Sequence, residues 1–257
     1  MAGAACLAAK AAYRSGCGLV RVFTHEANRL IVQNQVPEAV LTTYKDLTDG
    51  EKSLREAIRW ADAIVFGPGL GTGRTTRTFL HILKECAKVS VVLDADGLNE
   101  IGRMKDEGED YLKDFPAPLI LTPHMLEMER ISGCPVGKMK EERISPAEKY
   151  AEDHGITLVL KDARTIVTDG KSLYINQTGN NGMATGGSGD VLTGITAGML
   201  AAGMDPFEAA SMAVFLHGKA GDLAADEAGQ YSLMAGDIVE HISKALGGTQ
   251  NGNGKDL

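Results

Sequence analysis

The chain reads as an α/β protein with a mostly parallel central sheet covered by helices on both faces. Three observations predict this class. Helical stretches alternate with short apolar runs along most of the sequence. The strand-like runs end at turn or capping residues: Gly67, Asp94 and Thr122. Near the end of the alternation, Asp169-Gly170 separates two short β-type runs, which adds a hairpin and therefore an antiparallel edge.

The elements follow in order. Ala4–Arg14 is helical because alanine costs least in a helix, and Gly16 and Gly18 end it. Leu19–Thr24 reads as a strand, Ser53–Trp60 as a helix and Ala63–Phe66 as a short buried strand. A helix over Thr75–Cys86 precedes the strand Val89–Leu93. The strand Leu119–Leu121 runs into Pro123, which suits a first helical turn, and Gly133 and Pro135 break the helix that follows near Ser132. A charged helix over Ser145–His154 leads to the strand Thr157–Lys161 and to the hairpin strands Thr165–Thr168 and Ser172–Asn176. Helices then dominate: Asp190–Ala202, Pro206–Ala225 and Met234–Leu246. The expectation is one domain over residues 1–246, followed by a Gly/Asn-rich, disordered tail over 247–257.

Composition narrows the function. A length of 257 residues suits one large α/β domain. Many glycines beside few aromatics point to tight turns and close backbone approaches, as at a phosphate site. A formal net charge of −8 argues against general nucleic-acid binding but leaves room for a local anion site. Cys6, Cys17, Cys86 and Cys134 form no CxxC pair, so reduced thiols and a cytoplasmic location are expected. No apolar run approaches the ~18–20 residues needed to cross a bilayer, so no membrane association is expected. Ala2–Ala9 has no basic segment before it and Lys10 interrupts it, unlike a signal peptide.

The unusual residues share one kind of place. Gly67-Pro68-Gly69-Leu70-Gly71, Asp94-Ala95-Asp96-Gly97, Thr122-Pro123-His124 and Lys161-Asp162-Ala163-Arg164 each follow a strand. In a parallel sheet those ends lie on one edge, where ligands bind. Taken singly, each is also explained as a turn or a helix cap. The richest segment is Thr178-Gly-Asn-Asn-Gly-Met-Ala-Thr-Gly-Gly-Ser-Gly-Asp190, a glycine loop feeding a helix. Helix-start N–H groups bind anions, and glycines let the backbone approach them closely. Asp190 fits two roles equally well from spacing: a favourable first-turn acid, or a general base beside an anion cradle. No Walker Gly-Lys-Ser/Thr follows the loop, and it is not GxGxxG after a first strand.

These residues carry a resemblance. Gly179–Gly194 resembles the signature of the ADP-dependent NAD(P)H-hydrate dehydratases of the ribokinase-like superfamily, with Asn181 where proline is usual. The Gly67–Gly71 loop, Asp94-Ala-Asp-Gly-Leu-Asn99, Leu121-Thr-Pro-His-Met-Leu-Glu127, Leu160-Lys161, Ala8–Ala12 and Ser15–Val20 match in the family's order. The resemblance implies a three-layer ribokinase-like α/β/α fold. It implies Asp190 as catalytic base, with Gly187, Ser188 and Gly189 as the anion hole. Lys161, Asp162, Ala163, Arg164, Thr165 and Gly189 would hold the adenine nucleotide, with Asp162 where relatives often have glycine. Ala4, Gly71, His124 and Asp190 would line the hydrate pocket. The implied reaction returns (S)-NADHX and NADPHX to NADH and NADPH by phosphorylating the ring hydroxyl and eliminating phosphate. ADP is the expected donor, with ATP as the other candidate. Magnesium would be carried by nucleotide phosphates, without a dedicated protein cage. Relatives imply a homotetramer, and a functional link to a separate epimerase, since these 257 residues leave no room for the epimerase domain of bifunctional members. The family also begins with a strand ahead of the equivalent of Met1–Ala4, so this first strand is expected to be missing here and its loss to lower stability. The competing readings are a hydroxyethylthiazole or hydroxymethylpyrimidine kinase of the same superfamily, and a non-catalytic nucleotide-binding regulator.

Overall fold

The computed structural model describes residues 1–250. Its main sheet has six strands in the order β3(Ile64–Phe66), β4(Val91–Leu93), β5(Leu119–Leu121), β6(Thr157–Leu160), β7(Ile166–Thr168) and β8(Leu173–Ile175). The pairs from β3 to β6 are parallel, and those of β7 and β8 are antiparallel. This is the parallel sheet with an antiparallel edge that the sequence predicts.

Strand alternation sorts the core into two halves. Val92, Ile120, Val159 and Val167 face one side, against α9(Ser188–Ala201), α10(Pro206–Ala228) and α11(Ala235–Gln250). Leu93, Leu121, Leu158, Leu160 and Ile166 face the other, against α3(Leu47–Trp60), α4(Arg74–Cys86), α5(Asp96–Asp106), α6(Met125–Ser132) and α8(Ile144–His154). Both faces of each central strand are buried, which is why these runs lack polar alternation. The first helix, α1(Ala2–Arg14), lies along α9. Gly194 and Gly198 make that contact close: a Cβ on Gly194 would stand 2.2 Å from the Ala8 carbonyl oxygen, and one on Gly198 2.6 Å from the Ser15 side chain.

Several elements depart from the sequence expectations. The strand expected over Leu19–Thr24 is β1(Arg21–His25). It pairs in parallel with β2(Val40–Tyr44) in a separate two-stranded sheet, not with the main one. Neither β2 nor α2(Arg29–Gln35) was expected, because their short apolar runs carry no clear period. Asp96–Asp106 forms α5 despite Gly97 and Gly102, whose low propensity argues against a helix. A Cβ on Gly97 would stand 3.2 Å from Phe66, and one on Gly102 3.0 Å from Arg130, so close packing favours glycine at both positions despite its propensity. A short helix, α7(Val136–Glu141), follows α6. The helix α11 continues through Gln250, so the expected tail from Gly247 begins in helix; residues 251–257 lie outside the described residues.

Between the free edges of β1 and β3 lies an apolar cavity of about 670 Å³, lined among others by Leu19, Val22, Ile64, Phe66, Ala9 and Gly198. Arg21 borders it. Its guanidinium carbon lies 4.5 Å from the Trp60 ring, and its buried Nε has no hydrogen-bond partner among the described residues.

Candidate active site

The C-terminal ends of β3 to β6 line up as expected. Asp94 N–H donates to Phe66 O (3.1 Å), Thr122 N–H to Leu93 O (3.1 Å) and Lys161 N–H to Pro123 O (2.8 Å). The four post-strand segments therefore emerge side by side. Gly67 is required where the first two meet: its φ is +126°, and a Cβ would stand 1.8 Å from the Asp94 carbonyl oxygen. The start of α1 closes one end of the crevice. The Met1 amino group donates to Gly69 O, and Leu7 lies against Gly187. This brings buried Ala4 to the same edge as Gly71, whose N–H donates to Asp96 Oδ2 at 2.7 Å.

The anion hole forms the first turn of α9. Gly187 is the N-cap, with φ +91° and ψ −10°, and the helix starts at Ser188. First-turn N–H groups have no acceptor inside their own helix. That of Ser188 donates to Thr185 O at 3.3 Å, while those of Gly189 and Asp190 have no partner among the described residues. Helix polarity makes this turn receptive to negative charge. Distant residues hold the preceding loop. Gly179 N–H and Asn180 Nδ2 donate to the Asp222 carboxylate on α10, at 2.9 and 3.0 Å. Ser188 Oγ lies 3.2 Å from His217 Nε2, and burial depresses that imidazole to about 4, so it is neutral at pH 7.

Asp190 is half-buried at this turn. Burial first, and the Asp94 carboxylate second, lift its carboxyl to about 6, against the opposing pull of Lys161. That places it where a general base works near neutral pH. Lys161 stands over the cradle, with Nζ 3.3 Å from where a Gly189 Cβ would be. Its ammonium donates to Asp94 Oδ1 at 2.7 Å and lies 4.0 Å from Glu127 Oε2.

His124 is the N-cap of α6 in a capping box. Its Nδ1 accepts from the Leu126 and Glu127 N–H groups at 3.1 and 3.2 Å, while Glu127 Oε2 accepts from the His124 N–H at 2.9 Å. Histidine thus takes the place usually held by Ser or Thr. Burial, then Lys161, lowers the pKa of the His124 ring, and burial raises that of the Glu127 carboxyl.

The remaining expected residues, Asp162, Ala163, Arg164 and Thr165, form the turn between β6 and β7. Asp162 pairs with Arg143 at 2.7 Å, and Arg164 donates to Gln177 O at 2.9 Å. All the expected positions therefore sit along one edge. Thr193, His217 and Asp222 also shape the site and were not singled out from sequence, while Asp94 was placed at this edge without a role. Asp222 and His217 lie mid-helix on α10, where nothing local marks them; Thr193 is one turn beyond Gly189, and its partner Asp94 is remote in the chain.

Comparison with known proteins agrees with this geometry. The family model described as NAD(P)H-hydrate dehydratase matches residues 1–244. The bifunctional NAD(P)H-hydrate repair enzyme Nnr of Moorella thermoacetica is 38% identical over 254 residues, covering 96% of this chain and 47% of that protein. The chain thus spans about half the length of such bifunctional relatives. The ADP-dependent (S)-NAD(P)H-hydrate dehydratase of Neisseria meningitidis is 40% identical, over 93% of this chain and 79% of that protein. Among solved structures, the ADP/ATP-dependent NAD(P)H-hydrate dehydratase of Bacillus subtilis, co-crystallised with ATP/Mg2+, superposes with a TM-score of 0.82. It is 30% identical and covers 97% of this chain and 86% of that one. The fold is the ribokinase-like one expected from sequence. The chain belongs to the NAD(P)H-hydrate dehydratase family.

Proposed function

We propose that this chain catalyses the nucleotide-dependent dehydration of (S)-NADHX and NADPHX to NADH and NADPH. The observation that carries the reading is Asp190: a carboxyl lifted to about 6, in the first helical turn, beside two N–H groups without partners among the described residues. Asp190 takes the proton of the ring hydroxyl as its oxygen attacks the terminal phosphorus of the nucleotide. With ADP as donor, AMP departs. The phosphate ester then loses phosphate with the C–O electron pair, and a neighbouring ring proton leaves to restore the double bond. The Gly187–Ser188–Gly189 turn stabilises charge on the transferring group. Lys161 through Thr165 hold the nucleotide, and Ala4, Gly71 and His124 line the hydrate pocket.

Magnesium enters this reading with the nucleotide, as in the Bacillus subtilis crystals. Among the described residues, no group of three or more His, Cys, Asp or Glu could hold an ion. No side chain is therefore assigned to it and no step is routed through it. The names of the relatives favour a dehydratase over a sister kinase. A cytoplasmic homotetramer and a partnership with a separate epimerase belong to the same reading. No helix among the described residues is long and apolar enough to cross a membrane. We also infer that the cavity between β1 and β3 receives one further strand. Two facing unpaired edges and the partnerless Arg21 Nε support it.

The test is recovery of reduced-nicotinamide absorbance from NADH hydrate with magnesium and either ADP or ATP. Recovery only with nucleotide is expected, and the more effective nucleotide identifies the donor. Bound nucleotide without recovery overturns the reading in favour of a kinase.

A further inference from the structure

The turn from β4 into α5 contains an unfavourable backbone conformation. Ala95 has φ +48° and ψ −116°, in a region that side chains with a Cβ rarely adopt. Such strain persists only where its surroundings over-determine it, and it clusters at functional sites. The residues on either side are the two acids that reach across the crevice. Asp96 Oδ2 receives the Gly71 N–H at 2.7 Å. Asp94, with only 2% of its side chain exposed, receives Lys161 Nζ at 2.7 Å on one oxygen and Thr193 Oγ1 at 2.8 Å on the other. Thr193 Oγ1 also lies 2.9 Å from Gly189 O, so the same hydroxyl ties Asp94 to the first turn of α9. Lys161 stands on the other side of Gly189. One buried carboxylate therefore joins the anion cradle, the only ammonium beside it among the described side chains, and the glycine loop through its neighbour Asp96.

We propose that Asp94 is a positioning residue for the reaction at Asp190, clamping the Lys161 ammonium and the first turn of α9 in one geometry while its charge stands beside the base. The proposal rests on the function assigned above to Asp190. The groups facing Asp190 are Asp94 and Asp96 from the β4–α5 turn, Lys161 from the end of β6 and the amino terminus of α1. Asp94 opposes ionisation of Asp190 and Lys161 favours it. The positive-φ turn at Ala95 is the conformation in which the two flanking acids reach different partners.

The experiment compares the pH dependence of turnover in the wild-type protein and in Asp94→Asn. The variant is expected to lose roughly 10²-fold in turnover through misplacement of the cradle. Its acidic limb should also move to lower pH, because the carboxamide no longer opposes ionisation of Asp190. A limb that stays in place, or undiminished turnover, overturns the proposal. Thr193→Val covers the case in which Asp94→Asn fails to fold. It removes the hydroxyl that joins Asp94 to the first turn of α9 and should reduce kcat at unchanged KM; wild-type kcat overturns the proposal. The clamp is also read without turnover. In Asp94→Asn, an amine-reactive reagent should modify Lys161 faster, followed by peptide mass analysis; an unchanged rate overturns the clamp. If the wild-type protein restores no NADH, the functional reading fails, while the labelling rate still decides the clamp.

Discussion

The crevice at the ends of β3 to β6 and the flank between β1 and β3 are both built from short strands and small residues, yet they treat backbone polar groups in opposite ways. At the crevice, each strand end is stitched to the next, and loops are tied by carboxylates from remote elements: Asp96 to Gly71, Asp222 to Gly179. The N–H groups of Gly189 and Asp190 are left over, in the first turn of a helix, where an anion is welcome. At the flank, two strand edges face each other across an apolar cavity, and a buried arginine nitrogen goes without a partner. Unpaired groups at a polar, helix-capped edge invite a small ligand; unpaired groups along an apolar slot call for backbone. The same deficit thus reads as chemistry in one place and, on the strand insertion proposed above, as architecture in the other.

The sharpest break of this contrast is Asp190→Asn. Turnover is expected to fall by ~10²–10⁴-fold, the usual worth of a general base, while calorimetry finds nucleotide binding nearly intact. Near-normal turnover would remove Asp190 from the mechanism and leave the crevice a binding site only. A gentler probe is pH. The base works deprotonated and titrates near 6. Turnover should therefore hold above neutrality and fall about tenfold between pH 7 and pH 5; a flat profile across that range contradicts the assignment.

Two stability measurements address the other side of the comparison. Gly194→Ala drives a Cβ to 2.2 Å from the Ala8 carbonyl oxygen at the α1–α9 contact. Overpacking of this kind costs typically ~1–3 kcal/mol, and urea unfolding should show it. A chain carrying an added β-strand ahead of Met1 should melt higher, by roughly 2–4 °C for each kcal/mol gained. Equal melting temperatures would show that the slot needs no strand.

Much of the crevice was legible in the sequence because its parts are local. Glycine loops and post-strand acids mark their own positions, and parallel topology brings Gly71, Asp94, His124 and Lys161 to one edge, with Asp190 marked by its own glycine loop. What escaped depends on partners distant in the chain. Asp222 holds the glycine loop from 42 residues beyond Asn180, and Thr193 reaches Asp94 across 99. The helix α5 survives its glycines only because Phe66 and Arg130 pack against them. The split between the two sheets was equally hidden, since nothing in β1 says which strand it pairs with.

The cap on α6 decides how His124 can speak to a ligand. With Nδ1 accepting two backbone N–H groups, the ring proton sits on Nε2. Nε2 lies 3.4 Å from Glu127 Oε1, so that hydrogen is turned toward the capping carboxylate. Protonating the ring to change this polarity would release the helix start, so the histidine's donor character is as durable as the helix it caps.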